Sequence, residues 1–355
     1  MAKSDIWRIA AAAGPGMGTT RVCPNPHRAR LNPDLSSESD EITYGGGFAG
    51  HIRWRYTVTT IDIMLPYYGD VDLLKLAVRS VVGQTDPRWR LTVFDDGTAD
   101  GVPEWFEHLN HPQVRYERNE RNLGLTGNFQ KCVDRAELEF MVIMGCDDIM
   151  RPNYVATVQE LLERYPEATI VQPGVEVIGA DGAQTHTVVD RVKEWVYAPT
   201  FEGTLVLQGE DLAVSLLRGD WLYFPSLCWR TTEIKAVGFD PRLSVIQDLS
   251  LILHLVERGA QLVASHEVCF QYRRHAVSAS SASAVTGSRF TEAEEFFLEA
   301  AARMEACGWH RAAKTARRHM SSRLHALTMV PAAMRQRNAA GVKVLGKYAF
   351  GSAQR

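Results

Sequence analysis

The chain has 355 residues, 45 % of them hydrophobic and 23 % charged, with a formal net charge of −3. This is the composition of a globular protein with one large core or two modest ones. The slightly acidic balance excludes a general nucleic-acid binder, which needs a basic footprint.

No run of about 18 apolar residues occurs, so no membrane-spanning helix is expected. The six cysteines (Cys23, Cys132, Cys146, Cys228, Cys269, Cys307) are scattered and form no CxxC pair. That argues against a zinc site or a disulfide framework and for a reducing, cytoplasmic setting. The alanine run after Arg8 is short and opens into glycine, unlike a secretory leader.

In chain order, residues 1–57 lack hydrophobic periodicity and collect Gly, Pro and acidic residues. They read as disordered, or as an extension foreign to the natural protein, since the ordered pattern begins near Val58. The Gly14–Thr20 cluster lacks the lysine of a phosphate loop and follows no strand.

From Thr59 strands and helices alternate. Strand 61–65 is expected to stop at Pro66, and helix 71–82 to bury Leu74, Ala77, Val78 and Val81. Strand 90–94, a helix around Trp105, strand 114–116, helix 126–136 and the apolar strand 140–144 follow. Such repeats predict an α/β fold, an open and mostly parallel sheet with helices on both faces. Ligands then bind beyond the carboxyl ends of the strands.

At those ends lie Pro66-Tyr67-Tyr68, Asp95-Asp96-Gly97-Thr98 and Gly145-Cys146-Asp147-Asp148. An aspartate here can simply cap a helix or turn. Two acidic pairs on one rim repel each other, however, and a hard cation, Mg²⁺ or Mn²⁺, relieves the repulsion.

These pieces, in this order, resemble glycosyltransferase family 2, with its GT-A fold. Ile63–Tyr68, Ser80–Thr85, Val93–Asp100, Asn122–Asn128, Gly145–Asp148, Val237–Asp240, Gln247–Ser250 and Tyr272–His275 carry the likeness across residues 59–280. The resemblance implies a metal-dependent, inverting transfer of a sugar from a nucleotide diphosphate donor, UDP or dTDP, to a hydroxyl. It implies that Asp95, with Asp96 beside it, faces the uracil or thymine ring, which Pro66 and Tyr67 line. Asp147 and Asp148 are then the metal pair at the diphosphate. Asn122 and Asn128 flank a helix start suited to anion or ribose contacts, or cap it. The family usually writes Asp-x-Asp-Asp at the metal motif, and here Gly145 stands in place of the first acid.

Later in the chain, 155–164 reads as a helix, 169–172 as a strand and 179–182 as a hairpin turn. The aromatics from Trp195 to Trp229 are chiefly core candidates, with Trp221 or Tyr223 the sugar-stacking choice. Asp248 opens an apolar helix, where it caps the helix, complements its dipole, or acts as general base. In the family a Glu-Asp motif supplies that base; Gln247 replaces the glutamate and leaves Asp248. Arg273 or Arg274 is expected to clamp the diphosphate, and His275 to add a metal or phosphate contact before a mobile 278–283 lid.

From residue 306 onward there are ten Lys or Arg and no Asp or Glu. Such a tail is a solvated helical appendage or a contact with anionic lipid, at the inner face of the plasma membrane. The lipid reading extends the acceptor from a glycan to a polyprenyl-linked glycan. Domain boundaries are expected at 58–151 (donor half), 152–285 (acceptor half) and 286–355 (basic helical region). Two other readings compete. A nucleotidyltransferase needs a Gly-rich basic loop after strand one, and this chain has Pro-Tyr-Tyr-Gly there. A degenerate sugar-nucleotide-binding protein is motivated by Gly145 and Gln247.

Overall fold

The computed structural model describes residues 59–97, 99–185, 196–274 and 288–351. The 1–57 extension, the 278–283 stretch, Trp195 and His275 lie outside the described residues.

Three β-α repeats and a fourth strand build the first half: β1 (Ile61–Tyr67), α1 (Val71–Val82), β2 (Trp89–Asp95), α2 (Val102–Leu109), β3 (Val114–Arg118), α3 (Gly124–Arg135) and β4 (Phe140–Ile143). The second half adds β5 (Ile149–Met150), α4 (Tyr154–Arg164), β6 (Ile170–Ile178), β7 (Thr204–Gln208), α5 (Gly209–Arg218), β8 (Cys228–Arg230), α6 (Thr231–Val237), α7 (Gln247–Glu257) and β9 (Gln261–Arg273). Four helices follow: α8 (Ser288–Ala306), α9 (His310–Arg318), α10 (Met320–Arg335) and α11 (Ala339–Phe350).

All nine strands join one sheet, in the order β3-β2-β1-β4-β8-β6-β9-β5, with β7 also on β9. The first four strands pair in parallel, and β8 then runs antiparallel between β4 and β6. The sheet is therefore mixed, and it runs unbroken through both halves. Alternation along β1 sends Ile61, Ile63 and Leu65 to the layer of α1, α2 and α4, and Met64 to that of α3, α5, α6 and α7. Both faces are covered, which is why these strands read as near-continuous apolar runs.

Strand β1 continues through Pro66 instead of stopping there. Met64 O accepts from Met144 N, so Met64 and Pro66, two residues on, turn their polar edges toward β4. Pairing with β4 ends at Met64, so the missing N–H of Pro66 removes no ladder bond.

The 286–355 region is not a detached tail. Phe290, Phe296, Phe297, Ala300 and Met304 of α8 are buried in the same core as α5 and α7. The helical run of this region is interrupted at His319, whose φ of 31° separates α9 from α10.

Candidate active site at the strand tips

After β4 the chain turns through Gly145 and Cys146 to Asp147 and Asp148. Asp148 is 1 % exposed, and Asp147 is half-buried beside it. An ideal Cβ on Gly145 would stand 2.4 Å from Asp148 Oδ2 and 3.1 Å from Asp147 Oδ1. Both carboxylates thus turn an oxygen into the space that a side chain at 145 would fill. The lost first acid and the closeness of the remaining two are one structural fact.

The backbone N–H of Arg273 donates to Asp148 Oδ1 at 2.8 Å. Burial, and then the charge on Asp147, hold the Asp148 carboxyl well above the usual carboxylate range, with Arg273 opposing. The intervening Cys146 thiol is pushed up to about 12 by burial and by Asp147, which keeps it protonated. Among the described residues no group of three His, Cys, Asp or Glu gathers here or elsewhere. The donor set is two hard carboxylates, which suits a small divalent cation that completes its shell with phosphate oxygens and water.

Arg273 is not placed as a phosphate clamp. Its Nε donates to Asp147 O at 2.7 Å, and its Nη1 donates to Gly179 O and Ala180 O at 3.0 and 3.2 Å. The buried guanidinium staples the hairpin turn after β6 to the acidic loop. Of the expected pair, this leaves Arg274, whose guanidinium carbon lies 5.8 Å from the ring centroid of Tyr272.

The Asp95-Asp96 pair finds its compensation inside the protein. Asp95, fully buried, accepts from Tyr116 Oη, from Arg118 Nε at 3.0 Å and from Gly97 N at 2.8 Å. Asp96 accepts from Asn119 Nδ2 (2.8 Å), Leu123 N (2.7 Å) and Gly124 N (2.9 Å). Its carboxylate thus already occupies the α3 helix start that was expected to receive an anion. Asn122 Nδ2 donates to Asp96 O, and the buried Asn128 ties Phe94 O to the Asn119 side chain. These side chains therefore shape the β2 tip. Pro66 and Tyr67 are buried as well, the Tyr67 hydroxyl donating to Gly69 O at 2.9 Å. The exposed aromatic at this tip is Tyr68, at 70 %.

Tyr272 joins the acidic loop to the second half. It is largely buried, and Asp148, Asp147 and Asp248 all add to burial in pushing its hydroxyl up to about 12. Its ring tilts against Tyr223 at 5.4 Å. Trp221, the other expected sugar platform, is buried with its Nε1 donating to Ser215 Oγ, and belongs to the core. Gln247, in the place of the family's glutamate, is buried and accepts from Thr126 Oγ1 at 2.8 Å. From α8, Arg289 comes within electrostatic reach of Asp248. Neither Tyr272 as a junction nor Arg289 carried a signal in the sequence, because both depend on how distant segments dock.

Comparisons with known proteins bear on the family and the fold. The profile of Glycosyl transferase family 2 matches residues 62–214. An uncharacterized protein of Mycobacterium tuberculosis (strain CDC 1551 / Oshkosh), MT1568, is 24 % identical over 222 residues, covering 61 % of this chain and 67 % of its own. The putative teichuronic acid biosynthesis glycosyltransferase TuaG of Bacillus subtilis (strain 168) is 21 % identical over 217 residues, 60 % of this chain and 78 % of its own. Among solved structures, S. aureus TarS 1-349 in complex with UDP-GlcNAc superimposes with a TM-score of 0.57 at 12 % identity, over 82 % of this chain and 90 % of that one. At that identity the likeness concerns the fold, which is of the GT-A kind.

The geometry at Gly145 makes a prediction opposite to simple motif repair. Gly145→Asp restores the family's spelling but drives a Cβ into Asp148 Oδ2, whose partner oxygen is pinned by Arg273. Mn²⁺ uptake in the presence of UDP, followed by the electron paramagnetic resonance of free Mn²⁺, is expected to weaken about tenfold or more in this variant.

Proposed function

We propose, from the premise that this chain belongs to glycosyltransferase family 2 and is a glycosyltransferase, that it moves a sugar with inversion from a UDP or dTDP donor to a hydroxyl of a glycan. The observation that carries this reading is the convergence of Asp147 and Asp148 over Gly145, on the rim that also holds Tyr272 and Asp248. A bound Mg²⁺ or Mn²⁺ would supply Lewis-acid neutralisation of the departing nucleoside diphosphate. Asp147 and Asp148 would hold it, and Arg274 would add positive charge on the diphosphate.

The nucleobase end of the donor lies at the tips of β1 and β2. Asp95 is the floor there, fixed by Tyr116, Arg118 and the Gly97 amide, and Tyr68 is the exposed face. Asp248 accepts the proton of the acceptor hydroxyl from the side opposite the leaving group, as inversion requires. Tyr223, half-buried against Tyr272, gives the sugar an aromatic edge. TuaG is named for teichuronic acid biosynthesis, and a role for this chain in polysaccharide assembly follows the same line.

The basic C-terminal region brings the enzyme to an anionic membrane surface and a polyprenyl-linked acceptor. Ten Lys or Arg and no Asp or Glu lie in residues 306–355. Along α10, Met320 (55 %), Leu324 (50 %) and Met334 (64 %) are exposed together with Pro331, at spacings that share one helical face. Exposed Arg318, Arg335, Arg337, Lys343 and Lys347 accompany that face. Among the described residues no helix is long and apolar enough to cross a membrane, so the contact is interfacial.

Three measurements check these assignments. Slow release of nucleoside diphosphate from UDP- or dTDP-sugars with Mn²⁺ is expected for wild type and absent for Asp148→Ala. Asp248→Asn should retain donor binding and lose about 10²–10⁴-fold in transfer; transfer at the wild-type rate would remove the base assignment. In flotation assays the full chain should bind phosphatidylglycerol vesicles at moderate salt and not phosphatidylcholine vesicles. Met320→Glu with Leu324→Glu should release it, and no binding by wild type would end the membrane reading.

A further inference from the structure

Helix α7, which carries Asp248 in its first turn, begins without a cap of its own. Its N-cap residue is Ile246, which has no side-chain acceptor, although the leading amides of a helix need partners. Of these amides, Leu249 N donates to Asp248 Oδ1, one residue back, at 2.8 Å.

The residues just ahead of these amides are held from the C-terminal region. Glu292 of α8 accepts from Ser244 N at 3.1 Å, Ser244 Oγ at 2.6 Å, Val245 N at 2.9 Å and Ile246 N at 3.2 Å. One carboxylate therefore fixes three consecutive amides that lead into the turn bearing Asp248. The same start of α8 brings in Arg289, largely buried and within electrostatic reach of both Asp248 and Glu292. From the other side, Thr126 of α3 donates to Gln247.

We propose that Glu292 is a positioning residue for sugar transfer: by anchoring the three residues that lead into α7, it aims Asp248 at the acceptor hydroxyl and makes the C-terminal helices part of the catalytic apparatus. This rests on the assignment of Asp248 as the base. A carboxylate that accepts from four donors, the Ser244 hydroxyl and the amides of Ser244, Val245 and Ile246, ties the entry of α7 to a segment about 45 residues further along the chain. Small displacements of a catalytic group cost large factors in rate. A cavity of about 670 Å³, lined by Asp240, Arg242, Ser250, His254 and Glu295 among others, adjoins Glu292. It leaves room for an isosteric amide, so Glu292→Gln removes charge and acceptor capacity without overpacking.

The test is a double-mutant cycle on the full chain, using Mn²⁺-supported hydrolysis of a panel of UDP-, dTDP- and GDP-sugars and scoring the donor that wild type turns over fastest. Glu292→Gln is expected to lower kcat about tenfold or more with the donor KM within about twofold, and Glu292→Asp to recover part of the loss. In an Asp248→Asn background the Glu292→Gln loss should vanish. Amide hydrogen exchange is expected to speed up by about tenfold or more over residues 244–250, with α1 unchanged. An equal kcat loss in both backgrounds would overturn the proposal by showing a purely structural role, as would unchanged exchange at 244–250. Asp248→Asn alone at the wild-type rate would instead sink the base assignment, so the two failures are distinguishable.

Discussion

Two neighbouring carboxylates at one strand tip, one of them out of water, are the constraint on which the site depends. Like charges this close resist joint ionisation, and burial raises the cost further. Within the protein, relief for Asp148 comes from the Arg273 amide and the nearby Arg273 charge, while its carboxyl stays well above the usual range. In the proposed function a divalent cation with a diphosphate would offset this repulsion. Gly145 makes the arrangement possible, because any side chain there would occupy the space into which both carboxylates point.

The contrast with the other acidic pair is instructive. Asp95 and Asp96 share the rim and the sequence pattern, yet their oxygens are matched by Tyr116, Arg118, Asn119 and three backbone amides. They hold β2, β3 and the start of α3 in one geometry and so build the floor on which a nucleotide would rest. The partners of the second pair lie further off in the chain, Arg273 being 125 residues from Asp148.

Much of the fold was legible in the sequence. The helix over 71–82, its four buried residues and the β-α repeats follow from periodicity, because one strand or helix at a time decides them. The reach of β1 through Pro66 was not legible, since it depends on where β4 stops pairing. Of the proposed site, the aspartates after β4 and the helix bearing Asp248 are read from motif and spacing. The buried roles of Asp96, Asn128 and Arg273 could not, because a polar residue reads the same whether its partner is solvent, ligand or a distant carbonyl. The anchoring of the α7 entry by Glu292 was invisible for the same reason, and so was the docking of α8 on the main core.

The most direct measurement is anomalous scattering at the manganese edge from crystals soaked with Mn²⁺ and UDP. The account predicts one strong peak within coordination distance, about 2.2 Å, of oxygens from both Asp147 and Asp148 and of a diphosphate oxygen. A bound UDP with no manganese at these carboxylates, or with the metal held elsewhere, would contradict it.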